Sequence, residues 1–307
     1  YFSIRYKLQN TKKNALRYAA IDIGSNAIRL LIADVVENQK IISFKKNTFI
    51  RVPLRLGHDA FTDKHISDEK VKDLVKTMTA FSYLIKVFDV QDYMACATSA
   101  MREAKNGPSI VQKIKKKTGL NLEIIHGKHE ASIIYATHLE QHLERKKNYL
   151  YIDVGGGSTE LSFFSDGEMI CSNSFNIGTI RILSNQDKDG IWVEIKNWIK
   201  ENINPYKNIV GIGTGGNINK LYQMIYTKDK KPMEFAKLKK MSAYLNSYSL
   251  QDRIEVLGLN QDRADVIIPA SEIYLTLMQW AHIKQLLVPR LGLVDGIIQQ
   301  LIEKNNH

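Results

Sequence analysis

The chain carries two cysteines in 307 residues, Cys96 and Cys171, each inside an apolar segment. Neither has a CxxC partner or a histidine at metal-ligand spacing, which excludes a disulfide-stapled scaffold and a thiolate metal site. Both read as reduced core residues of a cytoplasmic protein. No apolar run approaches the roughly 18 residues that a membrane-spanning helix needs. The stretch Tyr1 to Arg17 is basic and polar and lacks the apolar centre of a secretory signal, so it reads as an N-terminal extension. A GxxxxGK[ST] phosphate loop is also missing, which excludes a Walker-type nucleotide site. The eight histidines are scattered. His126, His129, His138 and His142 fall within one segment but lack a supporting third ligand, so zinc is not expected.

What is present is a soluble globular composition, 44% hydrophobic and 24% charged, able to bury real cores. At about 150 residues per domain the length fits two domains. The net charge of +11 implies anionic partners without naming them, since nucleic acid, acidic lipid, nucleotides and polyphosphate all satisfy it. No recognisable nucleic-acid-binding module accompanies the charge, which weighs against nucleic acid. A homodimer stays open.

Tyr18-Ala-Ala-Ile-Asp-Ile-Gly-Ser-Asn reads as a buried strand ending in a glycine turn, and Ala27 to Val36 as a second strand completing a hairpin. Apolar residues from Val71 to Ile85 recur at helical spacing, which predicts a helix over Asp68 to Val87. Tyr93 to Ala97 and Leu122 to Ile125 read as short strands, Ser109 to Thr118 as a helix stopping at Gly119. Ile191 to Ile203 and Asn217 to Tyr226 read as helices flanking a strand from Ile209. Asp262 to His282 has the length of a buried helix, interrupted near Pro269, and Lys228 to Lys240 reads as a solvated loop or exposed helix start. Strands alternating with helices predict α/β architecture.

The opening then repeats. Tyr149-Leu-Tyr-Ile-Asp-Val-Gly-Gly-Gly-Ser-Thr-Glu-Leu aligns without a gap on Tyr18-Ala-Ala-Ile-Asp-Ile-Gly-Ser-Asn-Ala-Ile-Arg-Leu, 131 residues apart. A period this long predicts two duplicated domains rather than a solenoid. Two such units facing each other would set Asp22 and Asp153 across one cleft.

Three glycine turns follow apolar strands: Gly24-Ser-Asn, Gly155-Gly-Gly-Ser-Thr and Gly213-Thr-Gly-Gly-Asn. Glycine lets consecutive backbone N–H groups point into one concavity, which suits phosphate. Gly24, Ser25, Asn26, Gly155, Gly156, Gly157, Ser158, Thr159 and Gly215 are the candidate phosphate contacts. Asp22 and Asp153 precede two of these turns, where a carboxylate can hold Mg²⁺ or simply cap its own turn. Arg102 follows the strand ending at Ala97 and can grip a phosphate bidentately or form a surface ion pair. Two glutamates can serve as base or water-orienting group. Glu130 opens a helix after His126-Gly-Lys-His, and Glu160 belongs to the glycine-rich turn.

Together these motifs resemble the exopolyphosphatase/guanosine pentaphosphate phosphohydrolase family of the actin and sugar-kinase superfamily. The resemblance runs from Tyr18 to Gly296 and rests on Ile21-Asp-Ile-Gly-Ser-Asn-Ala-Ile-Arg-Leu-Leu, Arg55-Leu-Gly, Ala97-Thr-Ser-Ala-Met-Arg-Glu, Gly127-Lys-His-Glu-Ala, Asp153-Val-Gly-Gly-Gly-Ser-Thr-Glu and Gly211-Ile-Gly-Thr-Gly-Gly, with Arg263-Ala-Asp-Val-Ile-Ile-Pro-Ala. It implies two ribonuclease-H-like domains around a cleft, one over 18–129 and one over 130–292, with 293–307 free to pack back on the first. It implies release of terminal phosphate from inorganic polyphosphate, or hydrolysis of guanosine pentaphosphate, with Mg²⁺ as cofactor. Carried over by motif, Glu130 is the base, Asp153 the magnesium-linked acid, and Glu160 and Asp22 support metal and water. Three departures stand out. His129 replaces a second acid, Gly292-Leu-Val-Asp-Gly replaces Gly-Leu-Arg-Glu-Gly, and the sequence lacks the C-terminal extension of longer members, which favours shorter polyphosphates. A superfamily kinase and a non-catalytic sensor of the same ligands remain as alternatives.

Overall fold

The computed structural model describes residues 16–305 apart from 39–40, 136–143, 145–146, 188 and 227–230. The expectations for most of the N-terminal extension, for His138 and His142, and for the start of the basic stretch at Lys228 lie outside these residues.

The first sheet is built from β1 (Arg17–Ile23), β2 (Ile28–Asn38), β3 (Ile41–Val52), β4 (Asp92–Ala97) and β5 (Glu123–Ile124), in the order β3-β2-β1-β4-β5. Helices α1 (Leu56–Thr62), α2 (Asp68–Val87), α3 (Ser99–Glu103) and α4 (Gly107–Thr118) belong to the same half, and α5 (Gly127–Tyr135) leads out of it. The second sheet holds β6 (Asn148–Val154), β7 (Thr159–Ser165), β8 (Glu168–Phe175), β9 (Ile209–Thr214), β10 (Met233–Glu234) and β11 (Gln285–Leu287), in the order β10-β11-β9-β6-β7-β8. Its helices are α6 (Thr179–Leu183), α7 (Ile191–Asn202), α8 (Gly216–Ile225), α9 (Phe235–Asn246), α10 (Leu250–Glu255), α11 (Gln261–Ala264) and α12 (Ile267–Trp280), and α13 (Leu293–Asn305) closes the chain.

The sequence repeat is a structural one. β1 runs antiparallel to β2 and parallel to β4, and β6 runs antiparallel to β7 and parallel to β9. The registers coincide as well: Ile23 faces Ile28 and Asp22 faces Arg29, as Val154 faces Thr159 and Asp153 faces Glu160. Strand alternation then decides what each central strand buries. Ala19, Ile21 and Ile23 enter one core with Leu74 and Met78 of α2 and Ile110 and Ile114 of α4. Tyr18 and Ala20 enter another with Ile297, Ile298 and Leu301 of α13. Asp22 shares the parity of Tyr18 and Ala20, so its carboxylate emerges beyond the start of α13. The fold is therefore mixed α/β with two sheets of like topology.

Helix α5 packs on β7, β8 and α13. The α5–α13 crossing is so close that a Cβ on Gly296 would stand 1.9 Å from the Ile133 carbonyl oxygen. The expected interruption of the long helix near Pro269 is displaced. The break falls at Asp265–Val266, between α11 and α12, and Pro269 sits buried in the first turn of α12. There its missing N–H has no intrahelical acceptor to lose, so proline starts the helix instead of breaking it. The described part of the basic stretch resolves into the approach to α9 and its first residues, and α9 buries Leu238 and Leu245. Among the described residues no helix is long and apolar enough to cross a membrane.

Candidate active site

Each hairpin ends in a tight turn closed by its glycine. Gly24 N donates to the Ala27 carbonyl at 3.2 Å, and Gly155 N to the Ser158 carbonyl at 2.9 Å. The turns abut, because a Cβ on Gly156 would lie 2.9 Å from Ser25 Cβ. A third turn closes in at Gly215, whose φ of +97° and whose 2.8 Å clearance to Asp153 Oδ1 both require glycine. Between them opens a cleft of about 380 Å³.

Asp22, Asp153 and Glu130 reach this cleft, as do Gly24, Ser25, Asn26, Gly155, Gly156, Ser158 and Gly215. Other candidates do not line it. Gly157 lies beneath, where a Cβ would strike the Phe61 ring and Ser99 Oγ. Thr159 turns its hydroxyl inward and donates to the Ile177 carbonyl at 2.8 Å. Glu160 stands one layer back, in a void of about 20 Å³ shared with Asp153, Tyr151 and Ala131 of α5. Arg102 donates Nη1 to the Ile125 carbonyl at 2.8 Å and acts on Glu130 and Glu160 through its charge.

The acids crowd together. Glu130, in the first turn of α5, has a buried Oε2 with no hydrogen-bond partner. Burial, then repulsion from Glu160, Asp153 and Asp22, holds its carboxyl well above the usual range. Burial lifts Asp153 to about 6, although a hydrogen bond from Thr214 and the charge of Arg29 pull the other way. Glu160 is pushed up to about 7 by burial and by Asp153, against hydrogen bonds from Ser158 and Ser174. The Ser174 Oγ donates to its Oε1 at 2.8 Å.

Among the described residues no set of three or more His, Cys, Asp or Glu is arranged as a metal cage. The donors nevertheless fit a hard divalent cation that keeps waters and takes phosphate oxygens. They are oxygen ligands, one is orphaned, and their accumulated negative charge is what such an ion relieves.

Sequence reasoning missed the cations. Arg29, Lys46, Arg51, Arg263 and Arg290 all line the cleft. Arg29 pairs with buried Asp22 from the neighbouring strand, Arg51 with Asp262, and Lys46 Nζ with Asp295 Oδ1 at 2.5 Å. Arg263 donates Nη1 to Asn217 Oδ1 at 3.1 Å, and burial together with the charges of Arg51 and Arg29 brings it down to about 10. Arg29 could have been found, since the hairpin register makes it the cross-strand neighbour of Asp22. Lys46 could not. A β-bulge at Ile32/Ala33 places it opposite Ala33, on the cleft face of β3.

Two departures from the family motifs acquire locations. His129 is exposed beside Glu130. Asp295 is buried at the start of α13, where its Oδ2 accepts from Gly292 N at 3.0 Å and its Oδ1 meets Lys46.

The chain is 27% identical over 286 residues to a bifunctional 3-dehydroquinate synthase/phosphatase of Fusobacterium nucleatum, covering 85% of this chain and 43% of that protein. It therefore spans less than half the length of that relative. It is 23% identical over 305 residues to a guanosine-5'-triphosphate,3'-diphosphate pyrophosphatase of Photobacterium profundum, covering 94% and 60%. With exopolyphosphatase 1 of Mycobacterium tuberculosis it shares 22% identity over 308 residues, covering 94% and 89%. An exopolyphosphatase crystal structure from Cytophaga hutchinsonii superposes with a TM-score of 0.80 at 22% identity, over 94% of this chain and 98% of that one. A Ppx/GppA structure from Aquifex aeolicus gives 0.74 at 22% identity, over 95% and 99%, so the two-domain fold is shared. A family profile matches residues 31–305, from β2 to the end of α13, and on that match the chain belongs to the Ppx/GppA phosphatase family.

Proposed function

We propose that this chain hydrolyses the terminal phosphoanhydride bond of a phosphate chain, inorganic polyphosphate or guanosine pentaphosphate, with Glu130 as general base. The observation that carries this reading is the Glu130 carboxyl. It is enclosed, unpartnered at Oε2, and stands on the wall of the cleft that the glycine turns enter. The names of relatives, an exopolyphosphatase and a guanosine-polyphosphate pyrophosphatase, agree with that chemistry.

In this reading the amides of the Gly24 and Gly155 turns hold the terminal phosphate, and Arg29 and Arg263 offset its charge. Glu130 Oε2 accepts a proton from a water aligned with the terminal phosphorus. The water oxygen bonds to phosphorus while the bridging P–O bond breaks, and the shortened chain leaves with that electron pair. Asp153 and Asp22 would hold magnesium, which when bound neutralises charge on the phosphoryl oxygens. Glu160, hydrogen-bonded by Ser174, orients the acids from behind. The base must be ionised, so activity rises with pH as the raised Glu130 carboxyl loses its proton.

Glu130→Ala tests the assignment. The expected loss is about 10²–10⁴ in kcat with the phosphate ligand retained. Phosphate release from polyphosphate without an acceptor would sink a kinase reading, and acceptor-dependent ADP formation would sink the hydrolase. Equal binding by wild type and variant with no turnover by either would make the protein a sensor.

A further inference from the structure

The cleft has two unlike ends. One holds the glycine turns and the acids. At the other, the exposed edge strand β3 meets the start of α13, and the wall turns apolar with Phe49, Leu291, Leu293 and Val294. Phe49 is an exposed aromatic on this face of the sheet. Its cross-strand partner Leu31 is fully buried under α13, whereas Phe49 keeps 53% of its surface exposed beside the opening. Cations line the same cleft: Arg51, two residues along the strand and paired with Asp262; Lys46, turned to the same face by the bulge and paired with Asp295; and Arg290, whose guanidinium lies over the Tyr222 ring. The Lys46–Asp295 pair pins β3 to α13, so the shelf is preorganised.

A bare phosphate chain has no apolar surface to place there. An exposed aromatic ring in a cleft that is also lined by cations fits a flat, partly apolar group joined to phosphates, which is a nucleobase. We infer that Phe49 is a specificity-determining residue that stacks the base of a nucleoside polyphosphate while its phosphates run toward the glycine turns. This rests on the phosphate-chain reading of the cleft and selects among its substrates.

The test is a binding experiment, run with magnesium chelated so that inorganic tetraphosphate is bound without being cleaved. Guanosine tetraphosphate and inorganic tetraphosphate are titrated calorimetrically into wild type, Phe49→Ala and Phe49→Trp, each checked for an unchanged thermal transition. Phe49→Ala is expected to weaken guanosine tetraphosphate by about 5- to 150-fold relative to inorganic tetraphosphate, the range of one base stacked on one ring. Phe49→Trp is expected to restore the preference. Equal changes for the two ligands, or none for either, overturn the shelf. Failure of both ligands to bind wild type overturns it together with the phosphate reading.

Discussion

The two hairpins that face the cleft share strand order and register and differ in charge at the cross-strand pair beside their glycine turns. In the first, Asp22 lies opposite Arg29 and the two form an ion pair. In the second, Asp153 lies opposite Glu160, and burial raises both acids, to about 6 and about 7. One reversed charge at the position equivalent by the repeat leaves Asp22 paired at the first turn and crowds Asp153 with Glu160 at the second, where α5 adds Glu130. A duplicated scaffold thus acquires polarity across its cleft without any change of hairpin register. In the proposed reaction, cation and acid would act on opposite sides of the same phosphate.

If the halves divide labour in this way, their variants will fail differently. The largest effect is expected on the acid side. Glu160→Gln should lower kcat by about 10²-fold with KM little moved, as for a group that handles or orients a proton. Steady-state kinetics on polyphosphate reads this, and a KM defect with normal kcat would erase the contrast. On the cation side, Arg29→Met should act mainly through KM, by about tenfold for one lost charged hydrogen bond. It should also destabilise, because Asp22 is only 2% exposed and would be left without its partner. Removing half of a fully buried pair costs about 3–5 kcal/mol, and the 28% exposure of the Arg29 side chain reduces the expected cost to about 2 kcal/mol. Thermal unfolding measures it, and an unchanged transition would mean that water screens Asp22 without help.

How much of this could be read in advance depended on whether a feature is local. The glycine turns, both aspartates and the α2 span from Asp68 to Val87 follow from short-range patterns, and the structure reproduces that helix. The repeat even set Arg29 over Glu160, but its meaning needed the hairpin register. β3 stayed hidden because an edge strand reading Phe-Lys-Lys-Asn-Thr-Phe lacks clean alternation, and its bulge breaks the parity further. With β3 went Lys46, Phe49 and Arg51, which is why the cationic wall was not foreseen. Thr159 shows the converse limit. It belongs to a phosphate-like sequence, yet strand parity turns its hydroxyl to the Ile177 carbonyl.

A third way to sharpen the contrast is the pH dependence of stability. Asp153 and Glu160 have folded-state values above their ordinary 3.8 and 4.5. The folded protein therefore binds protons more tightly than the unfolded chain between about pH 4 and about pH 7. Stability contributed by these groups is fully present below pH 4 and declines as pH rises toward 7. Thermal unfolding of the metal-free protein should show that decline, and Glu160→Gln should flatten its upper part. Added magnesium should stabilise more at pH 8 than at pH 5.5, because it competes with protons for the same carboxylates. A metal effect independent of pH would place the ion away from this cluster.

The smallest expected effect tests whether the two glycine turns are alike in backbone. Gly24 and Gly155 are equivalent by the repeat, and a Cβ on either would stand 3.1 Å from the carbonyl oxygen that closes its own turn, Ala27 or Ser158. The contact is tight but not prohibitive, and it is with backbone, so the turn itself must open slightly. Each glycine-to-alanine change should therefore cost about 1 kcal/mol, or about 2–4 °C in Tm for a protein of this size. The two losses should agree within error, since Arg29 Nη1, 3.6 Å from the Cβ on Gly24, would be in ordinary van der Waals contact and Gly155 meets no side chain across the strand. Unequal losses would show that the acid cluster strains its turn where the ion pair does not, and the difference between the hairpins would then extend from charge to backbone.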